Sequence, residues 1–147
     1  MMRVLPFQRA HLDLIELSDA DIERYGNMTS ESENPLADYG INFTAVWDGR
    51  VMLVGGIMNA SQRTGYAWTM VSRRAHVCGF KLARGVKSHL ENMMRDMGIH
   101  RVETANLADA FEHHKWCKML GFKNEGVMWQ YDDRKRDYLR FSKIMEV

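Results

Sequence analysis

The fold is decided by the stretch Val71-Ser72-Arg73-Arg74-Ala75-His76-Val77-Cys78-Gly79-Phe80-Lys81, which joins an apolar strand to a long helix. The strand, Tyr66 to Ser72, has the composition of a half-buried β-strand. Beyond the loop, apolar residues recur every three or four positions, namely Phe80, Ala83, Val86, Leu90, Met93, Met94 and Met97. This period predicts an amphipathic helix of about five turns that ends at Gly98.

A second strand follows that helix. Arg101 to Asn106, together with the strand Tyr66 to Ser72, makes a strand–helix–strand unit. Such a unit requires a parallel pair of strands and a right-handed crossover. Ligands of sheets built this way bind beyond the carboxyl end of the strand that enters the crossover. We therefore expect a ligand beside the loop from Val71 to Lys81.

The N-terminal half predicts one strand, two short helices and a three-stranded meander. A capping box, Ser18 with Asp21 three residues later, starts the second helix, which stops at Gly26. Asp48-Gly49 is a tight-turn signal between two strands. Leu12, Ile15 and Leu17 predict a short helix from Ala10. The other predicted elements are a strand Met2–Phe7, a helix from Ser18, a polar loop Asn27–Gly40 with a helical turn at Leu36–Tyr39, and strands Ile41–Trp47, Arg50–Met58 and Tyr66–Ser72.

The C-terminal part predicts one helix and two strands. Asp109 is placed to cap the helix, with Glu112 reaching back, and the helix ends at Leu120-Gly121. The strands are Phe122–Tyr131 and Tyr138–Ile144, joined by a charged connection. The element order predicts an α/β fold with three layers, a mixed central sheet of about six to seven strands with helices on both faces. We expect a single domain over residues 1–147.

Composition excludes several classes of protein. Hydrophobic residues make up 46% and charged residues 27%, which is the balance of a globular core, and the net charge of +1 gives no attraction to a phosphate backbone. No apolar run is long enough for a membrane span. Two cysteines, Cys78 and Cys117, cannot build a disulfide framework. We expect a soluble cytoplasmic domain that binds neither nucleic acid nor membrane.

The loop before the long helix has two interpretations. The N-terminus of a helix offers unpaired N–H groups and a positive dipole end, which suit a pyrophosphate. Arg73, Arg74 and Lys81 would add charge, and Gly79 would let the backbone approach a ligand. The other interpretation is an ordinary strand-to-helix loop whose basic side chains are solvated. Spacing alone does not separate the two, because a lone glycine is a weak signal.

The tail of the chain carries a family resemblance. It contains His100-Arg101-Val102-Glu103 and then Trp116-Cys117-Lys118-Met119-Leu120-Gly121-Phe122-Lys123-Asn124-Glu125-Gly126-Val127. This pattern resembles the GCN5-related N-acetyltransferase (GNAT) superfamily, in particular the branch that acetylates protein N-termini and related amines. It also resembles the small acetyltransferase-like proteins that bacteriophages encode, some of which are virion components. The resemblance covers most of the chain and is strongest from Tyr66 to Ile144.

The resemblance implies a site for acetyl-CoA. In the superfamily a Gln/Arg-x-x-Gly-x-Gly/Ala loop grips the pyrophosphate, and the matching residues here are His76, Val77, Cys78, Gly79, Phe80 and Lys81. Backbone N–H groups at Met70, Val71 and Ser72 would stabilise the oxyanion beside the thioester. His76 replaces Gln/Arg and is expected to make a local hydrogen bond. Lys81 replaces Gly/Ala and either blocks the approach of the backbone or pairs with a phosphate.

Two residues are candidates for the acid–base chemistry of acetyl transfer. Glu103 is the best carboxylate for a base, directly or through water, but its position on the same face of the strand as Arg101 favours a structural pair with that residue. Cys117 stands where many members place a Tyr that protonates the departing thiolate, so it either donates a proton or packs as a small hydrophobe. His113 lies one helical turn before Cys117, and further metal ligands at suitable spacing are lacking.

These observations predict an acetyl-CoA-dependent N-acetyltransferase that acts on an amine of a protein or small molecule. The rival is a non-catalytic protein of the same fold with a binding or structural role, for instance in a phage particle. A homodimer or a larger assembly is compatible with either. The resemblance implies that the acceptor is recognised by the loop after the first helix and by the last hairpin, which here are Asn27–Gly40 and Asp132–Asp137.

Overall fold

The computed structural model describes residues 1–33 and 35–146. The strands are β1 (Met2–Pro6), β2 (Ile41–Trp47), β3 (Arg50–Asn59), β4 (Thr64–Val71), β5 (Arg101–Leu107), β6 (Lys123–Met128) and β7 (Tyr138–Ile144). The helices are α1 (His11–Leu14), α2 (Asp19–Tyr25), α3 (Pro35–Tyr39), α4 (Gly79–Met97) and α5 (Phe111–Met119), with a single 3-10 turn at Ala75–Val77 before α4.

All seven strands form one mixed sheet in the order β1-β2-β3-β4-β5-β7-β6. Among the neighbouring strands of residues 1–33 and 35–146, β4 and β5 are parallel, as the strand–helix–strand unit predicts, and the other pairs are antiparallel. The three-layer fold class is therefore confirmed, with helices packed on both faces of the sheet.

The β4–β5 ladder is short, and this shapes the site. Its pairing runs from Thr64 opposite Arg101 to Tyr66 opposite Glu103 and then stops, although both strands continue. The two strands therefore diverge toward their carboxyl ends. The edge of β4 that would pair with β5 is left without a neighbouring strand from Ala67 onward, which opens a fork in the sheet.

One face of the sheet is covered by α4, the amphipathic helix that the sequence predicts. Its apolar side, which includes Leu82, Val86 and Met94, is buried against β2, β3 and β5. The helix ends as expected at Gly98, which has a left-handed conformation with φ 69°. Among residues 1–33 and 35–146, no helix is long and apolar enough to cross a membrane.

The other face is covered by α1, α2 and the segment between them. Leu12, Ile15 and Leu17 pack on Trp68 and Met70. The Nε1–H of Trp68, which is 1% exposed, donates a hydrogen bond to Asn42 Oδ1 at 2.9 Å. This covering layer places the start of α2 directly beside the fork.

Three sequence predictions differ from the structure. Asp109 does not cap α5, because that helix begins one residue later with Ala110 at the cap position and no side-chain cap bond. The strand predicted over 122–131 is shorter and ends at Met128, since Gln130 turns the chain with φ 47°. The first helix ends at Leu14, and Leu17 instead forms an antiparallel bridge with Ser72.

Candidate functional site

An open cleft of about 460 Å³ lies at the carboxyl end of β4. It separates the loop that follows β4 from α5, and its lining includes Ser18, Val71, Ser72, His76, His113 and Trp116. This is the position at which the sequence predicts a ligand. Below the cleft the fork narrows to a crevice with room for about 30 Å³, roughly one water molecule. A ligand that enters the cleft therefore reaches as far as Val71 and His113.

The N-terminus of α4 lies at the end of the predicted pyrophosphate loop. Its cap residue is Cys78, and no side chain caps the first turn, so the amides of Gly79, Phe80 and Lys81 keep their donors for a ligand. A Cβ built on Gly79 would meet no atom within 4 Å, which shows open space in front of this turn. The geometry suits an anion, because the helix dipole and the unused donors point the same way.

The predicted pyrophosphate loop has both buried and exposed side chains. Cys78 is buried, whereas Val77, Phe80 and Lys81 are exposed. His76 Nδ1 lies 3.0 Å from the carbonyl oxygen of Arg73, so the local hydrogen bond predicted for His76 is confirmed. Lys81 is the third residue of α4, and its exposed side chain leaves the space in front of Gly79 open.

Two basic residues of the loop, Arg73 and Arg74, bind the segment that precedes α2 and its first residue. The guanidinium of Arg73 donates to the carbonyl oxygen of Leu17 at 2.9 Å and 3.0 Å and to Asp19 at 3.2 Å. Arg74 Nε donates to the carboxylate of Glu16 at 3.0 Å. In this structure both side chains hold the segment before α2, and a contribution of Arg73 and Arg74 to an anion site stays a prediction.

The backbone of β4 that would face a thioester is already hydrogen-bonded. The N–H of Val71 donates to Asp21 Oδ2 at 2.9 Å, and the N–H of Ser72 donates to the carbonyl oxygen of Met52 at 2.7 Å. Met70 lies opposite Val54 in the β3–β4 ladder. Of these three residues, Val71 is the one whose N–H points into the fork, and there it is hydrogen-bonded to the carboxylate of Asp21.

Asp21 is buried at this point, with a side chain only 1% exposed. Oδ2 accepts from the Ser18 hydroxyl at 3.0 Å, and Oδ1 lies 3.5 Å from His113 Nε2. Burial raises the pKa of the Asp21 carboxyl, although His113 and the hydrogen bonds from Val71 and Ser18 oppose that rise. Ser18 and Asp21 approach the same nitrogen of His113, so the group lacks the relay order of a hydrolytic triad.

The raised pKa of Asp21 predicts a pH-dependent stability. A group with a raised folded-state pKa stabilises the fold fully below its unfolded pKa, about 3.9, and loses that contribution as the pH rises through the folded value. Asp21→Asn removes the titration. We expect this variant to melt at a higher temperature than the wild type near pH 7.5, with the gain shrinking below about pH 4.

Thermal unfolding at the two pH values measures this effect. Glu23→Gln is the matched control, since it removes an exposed carboxylate from the same helix and should give no comparable gain. A melting temperature of Asp21→Asn below that of the wild type at both pH values would contradict this. It would show that the interactions of the carboxylate stabilise the fold by more than its burial destabilises it.

Cys117 lines the narrow crevice, one turn of α5 beyond His113. Its Sγ accepts a hydrogen bond from Asn106 Nδ2 at 3.0 Å, and burial raises the pKa of the thiol to about 11. Cys117 therefore stays protonated at neutral pH. Both interpretations from the sequence, a proton donor and a packed small side chain, require that thiol form.

Glu103 lies at the last paired position of the β4–β5 ladder, opposite Tyr66. Its Oε1 accepts from Arg101 Nη2 at 2.8 Å, and its Oε2 lies 3.8 Å from Arg140 Nη1. The predicted pair with Arg101 is confirmed. Five residues of strand, roughly 16 Å, separate Tyr66 from Val71. The structure thus places Glu103 apart from the group formed by Val71, Asp21 and His113.

Asp21 and His113 are the site residues that sequence reasoning did not assign. One half of the predicted capping box is present, because Ser18 caps α2 by accepting from the Asp21 N–H at 3.3 Å, while the Asp21 carboxylate accepts from the Ser18 hydroxyl. The prediction of a helix cap accounts for Ser18 and Asp21 and gives no reason to expect a buried carboxylate at Asp21. In the part of the chain that the structure describes, no group of three His, Cys, Asp or Glu residues could hold a metal ion.

Solved structures identify the architecture. The acetyltransferase of the GNAT family from Bacillus anthracis superposes with a TM-score of 0.75 and 13% identity, covering 97% of this chain and 94% of that one. The ribosomal-protein-alanine N-acetyltransferase from Brucella melitensis matches with a TM-score of 0.68 and 16% identity over 97% and 99% of the two chains. The chain has the GNAT fold.

A further match is the microcin C7 self-immunity acetyltransferase MccE, whose structure is a complex with acetyl-CoA and AMP. Its TM-score is 0.59 at 14% identity, and the match covers 74% of this chain and 62% of that one. No family model matches the sequence, and no curated protein sequence matches it either. At these identities the likeness shows the GNAT fold and leaves the activity to be argued from the site.

Proposed function

We propose that the protein is an acetyl-CoA-dependent N-acetyltransferase. The observation that carries the proposal is the uncapped N-terminus of α4, which follows the turn whose Ala75 and His76 line the open cleft at the fork of β4 and β5. Three amide donors, a helix dipole and the open space at Gly79 suit a pyrophosphate. The structural neighbours with this fold are acetyltransferases, which agrees with that assignment.

The residues of the loop would share the work of binding. The amides of Gly79, Phe80 and Lys81 would hold the pyrophosphate, and the exposed ammonium of Lys81 can swing toward it without closing the space at Gly79. His76, Val77 and Cys78 shape the turn that presents those amides. Met70, Val71 and Ser72 border the place of the thioester, where acetyl-CoA supplies an activated acyl group.

Acetyl transfer also needs a base for the amine and an acid for the departing thiolate. His113 lines both the cleft and the crevice, so it is the side chain we assign to the proton of the acceptor amine. Cys117 lies one helical turn deeper and holds its proton at neutral pH, which suits the role of donor. Glu103 as a base acting through water stays a prediction, since its carboxylate is engaged by Arg101.

Replacing Cys117 tests the donor role. Cys117→Ala should lower kcat about 100-fold, within the usual range for loss of a general acid, and should leave the Kd for acetyl-CoA nearly unchanged. Steady-state rates and a binding titration on the same preparation separate the two effects. Full activity in the variant would assign Cys117 to packing against Asn106.

The function itself is tested by incubating the protein with acetyl-CoA and a panel of amines. Peptides with free N-termini, a polyamine and free amino acids represent protein and small-molecule acceptors. The proposal expects release of the CoA thiol that depends on the amine, together with an acetylated product seen by mass spectrometry. Release no faster than in the absence of protein, for every acceptor, would contradict it.

The second candidate is a non-catalytic protein of the same fold that acts through binding. A specific observation favours it, because the N–H of Val71 is taken by Asp21 and is not available to a thioester in this structure. Binding of acetyl-CoA without turnover on any amine would support that candidate. Its setting, in the cytoplasm or in a phage particle, stays a prediction.

A further inference from the structure

The segment before α2 lies along the unpaired edge of β4. Leu17 forms an antiparallel bridge with Ser72, and the N–H of Arg73 donates to the carbonyl oxygen of Glu16 at 2.8 Å. The N–H of Val71 donates to Asp21 Oδ2 at 2.9 Å. The chain therefore satisfies two successive outward donors, one at the last residue of β4 and one two residues beyond it, with its own oxygen atoms.

These donors face the fork. The N–H of Ser72 points to β3, where it bonds Met52. Donors of adjacent residues in a strand alternate between its two edges, so those of Val71 and Arg73 point to the opposite edge. The β4–β5 ladder stops at Tyr66, so β5 does not pair with this edge of β4 beyond that residue. An acyl chain laid in the fork would meet the same two donors.

We propose that Asp21 occupies the position of an acyl carbonyl on the N–H of Val71 and thereby sets the preference of the protein between acyl-CoA and CoA. The inference rests on the proposed function, since it assumes that a CoA thioester enters the cleft. An entering carbonyl gains the Val71 donor only by displacing Asp21. The hydrogen bond that the carbonyl gains from Val71 replaces the one that Asp21 loses. The acyl group therefore adds little to the affinity of the wild-type protein for the ligand.

The groups around Asp21 allow its carboxylate to release the N–H of Val71. Its other oxygen, Oδ1, has no hydrogen-bond partner among the described residues and lies 3.5 Å from His113 Nε2. Ser18 holds Oδ2 from the start of the same helix. Arg24 is the cation of α2 whose charge also acts on Asp21. A carboxylate that leaves Val71 therefore has His113 as a second partner within a short movement.

The test compares the Kd of acetyl-CoA with that of CoA in four proteins. The wild type should bind the two ligands within about twofold of each other. Asp21→Ala and Asp21→Leu cannot accept from Val71, so both should bind acetyl-CoA about fivefold to tenfold tighter than CoA, the worth of one hydrogen bond. Asp21→Asn keeps an accepting oxygen and should behave as the wild type does. Asp21→Leu also keeps most of the side-chain volume if the Ala variant folds poorly.

The outcomes separate this inference from the proposed function. A ratio in Asp21→Ala or Asp21→Leu equal to the wild-type ratio, with CoA still bound, overturns the role of Asp21 and leaves the proposed function standing. A wild-type preference for acetyl-CoA of fivefold or more does the same. Binding of neither ligand to any of the four proteins overturns both. Glu23→Gln, which removes a charge from α2 away from Val71, should keep the wild-type ratio.

Discussion

Gly79→Asp is expected to remove acetyl-CoA binding and leave the protein folded. Gly79 is the first residue of α4, and a Cβ at this position meets no atom within 4 Å. An Asp carboxylate there would accept from the unused amides of the first turn and would repel a phosphate. Asp in the first turn also complements the helix dipole, by about 0.3–1 kcal/mol, so the helix should not be weakened.

The expected loss of affinity is about 100-fold or more, since the ligand loses charge-assisted hydrogen bonds and meets a like charge. Calorimetric titration gives the Kd, and thermal unfolding gives the stability of each variant. Gly79→Asn is the control, because its side chain matches that of Asp in size but carries no charge, so it should lose much less affinity than Gly79→Asp. Normal affinity in Gly79→Asp would place the anion elsewhere.

Gly56→Ala is expected to unfold the protein or nearly so. Gly56 lies in β3, and a Cβ there would be 2.1 Å from Asn42 Oδ1 and 2.3 Å from the carbonyl oxygen of Ile41. The backbone of β2 cannot yield without breaking the β2–β3 ladder. Asn42 also accepts the hydrogen bond of the buried Trp68 indole, so a shift of that amide would leave a donor unsatisfied.

We expect Gly56→Ala to lower the free energy of unfolding by about 3 kcal/mol or more, the upper range for overpacking a core. Urea denaturation followed by circular dichroism measures this. Gly79→Ala serves as the control for stability, since the same substitution in open space should be neutral or slightly stabilising. A variant of Gly56 with wild-type stability would mean that β2 and β3 are farther apart than the structure has them.

The fold could be predicted because its main signals are periodic. The spacing of apolar residues in α4 fixed a helix, and the strands on either side of it then had to be parallel. Terminal residues were predicted less well, since a cap depends on one residue of register. Asp109 has the chemistry of a cap, but α5 begins at Phe111 and leaves Ala110 in the cap position.

The site was predicted only in part. The loop before α4 is continuous in sequence, so its residues could be named together. Asp21 and His113 are far apart in the chain and are joined by packing, which no local pattern shows. For Arg73 and Arg74 the sequence left a ligand role and a solvated role open, because it gives their charge but not their partners. The structure gives those partners as Leu17, Asp19 and Glu16.

Whether the cleft at the turn before α4 binds acetyl-CoA is measured by calorimetric titration of the wild-type protein with acetyl-CoA. We predict saturable heat with a Kd of about micromolar order, as expected for several charge-assisted hydrogen bonds at a helix N-terminus. No heat and no thermal shift at millimolar acetyl-CoA would contradict it and would indicate a GNAT fold that acts through its surface.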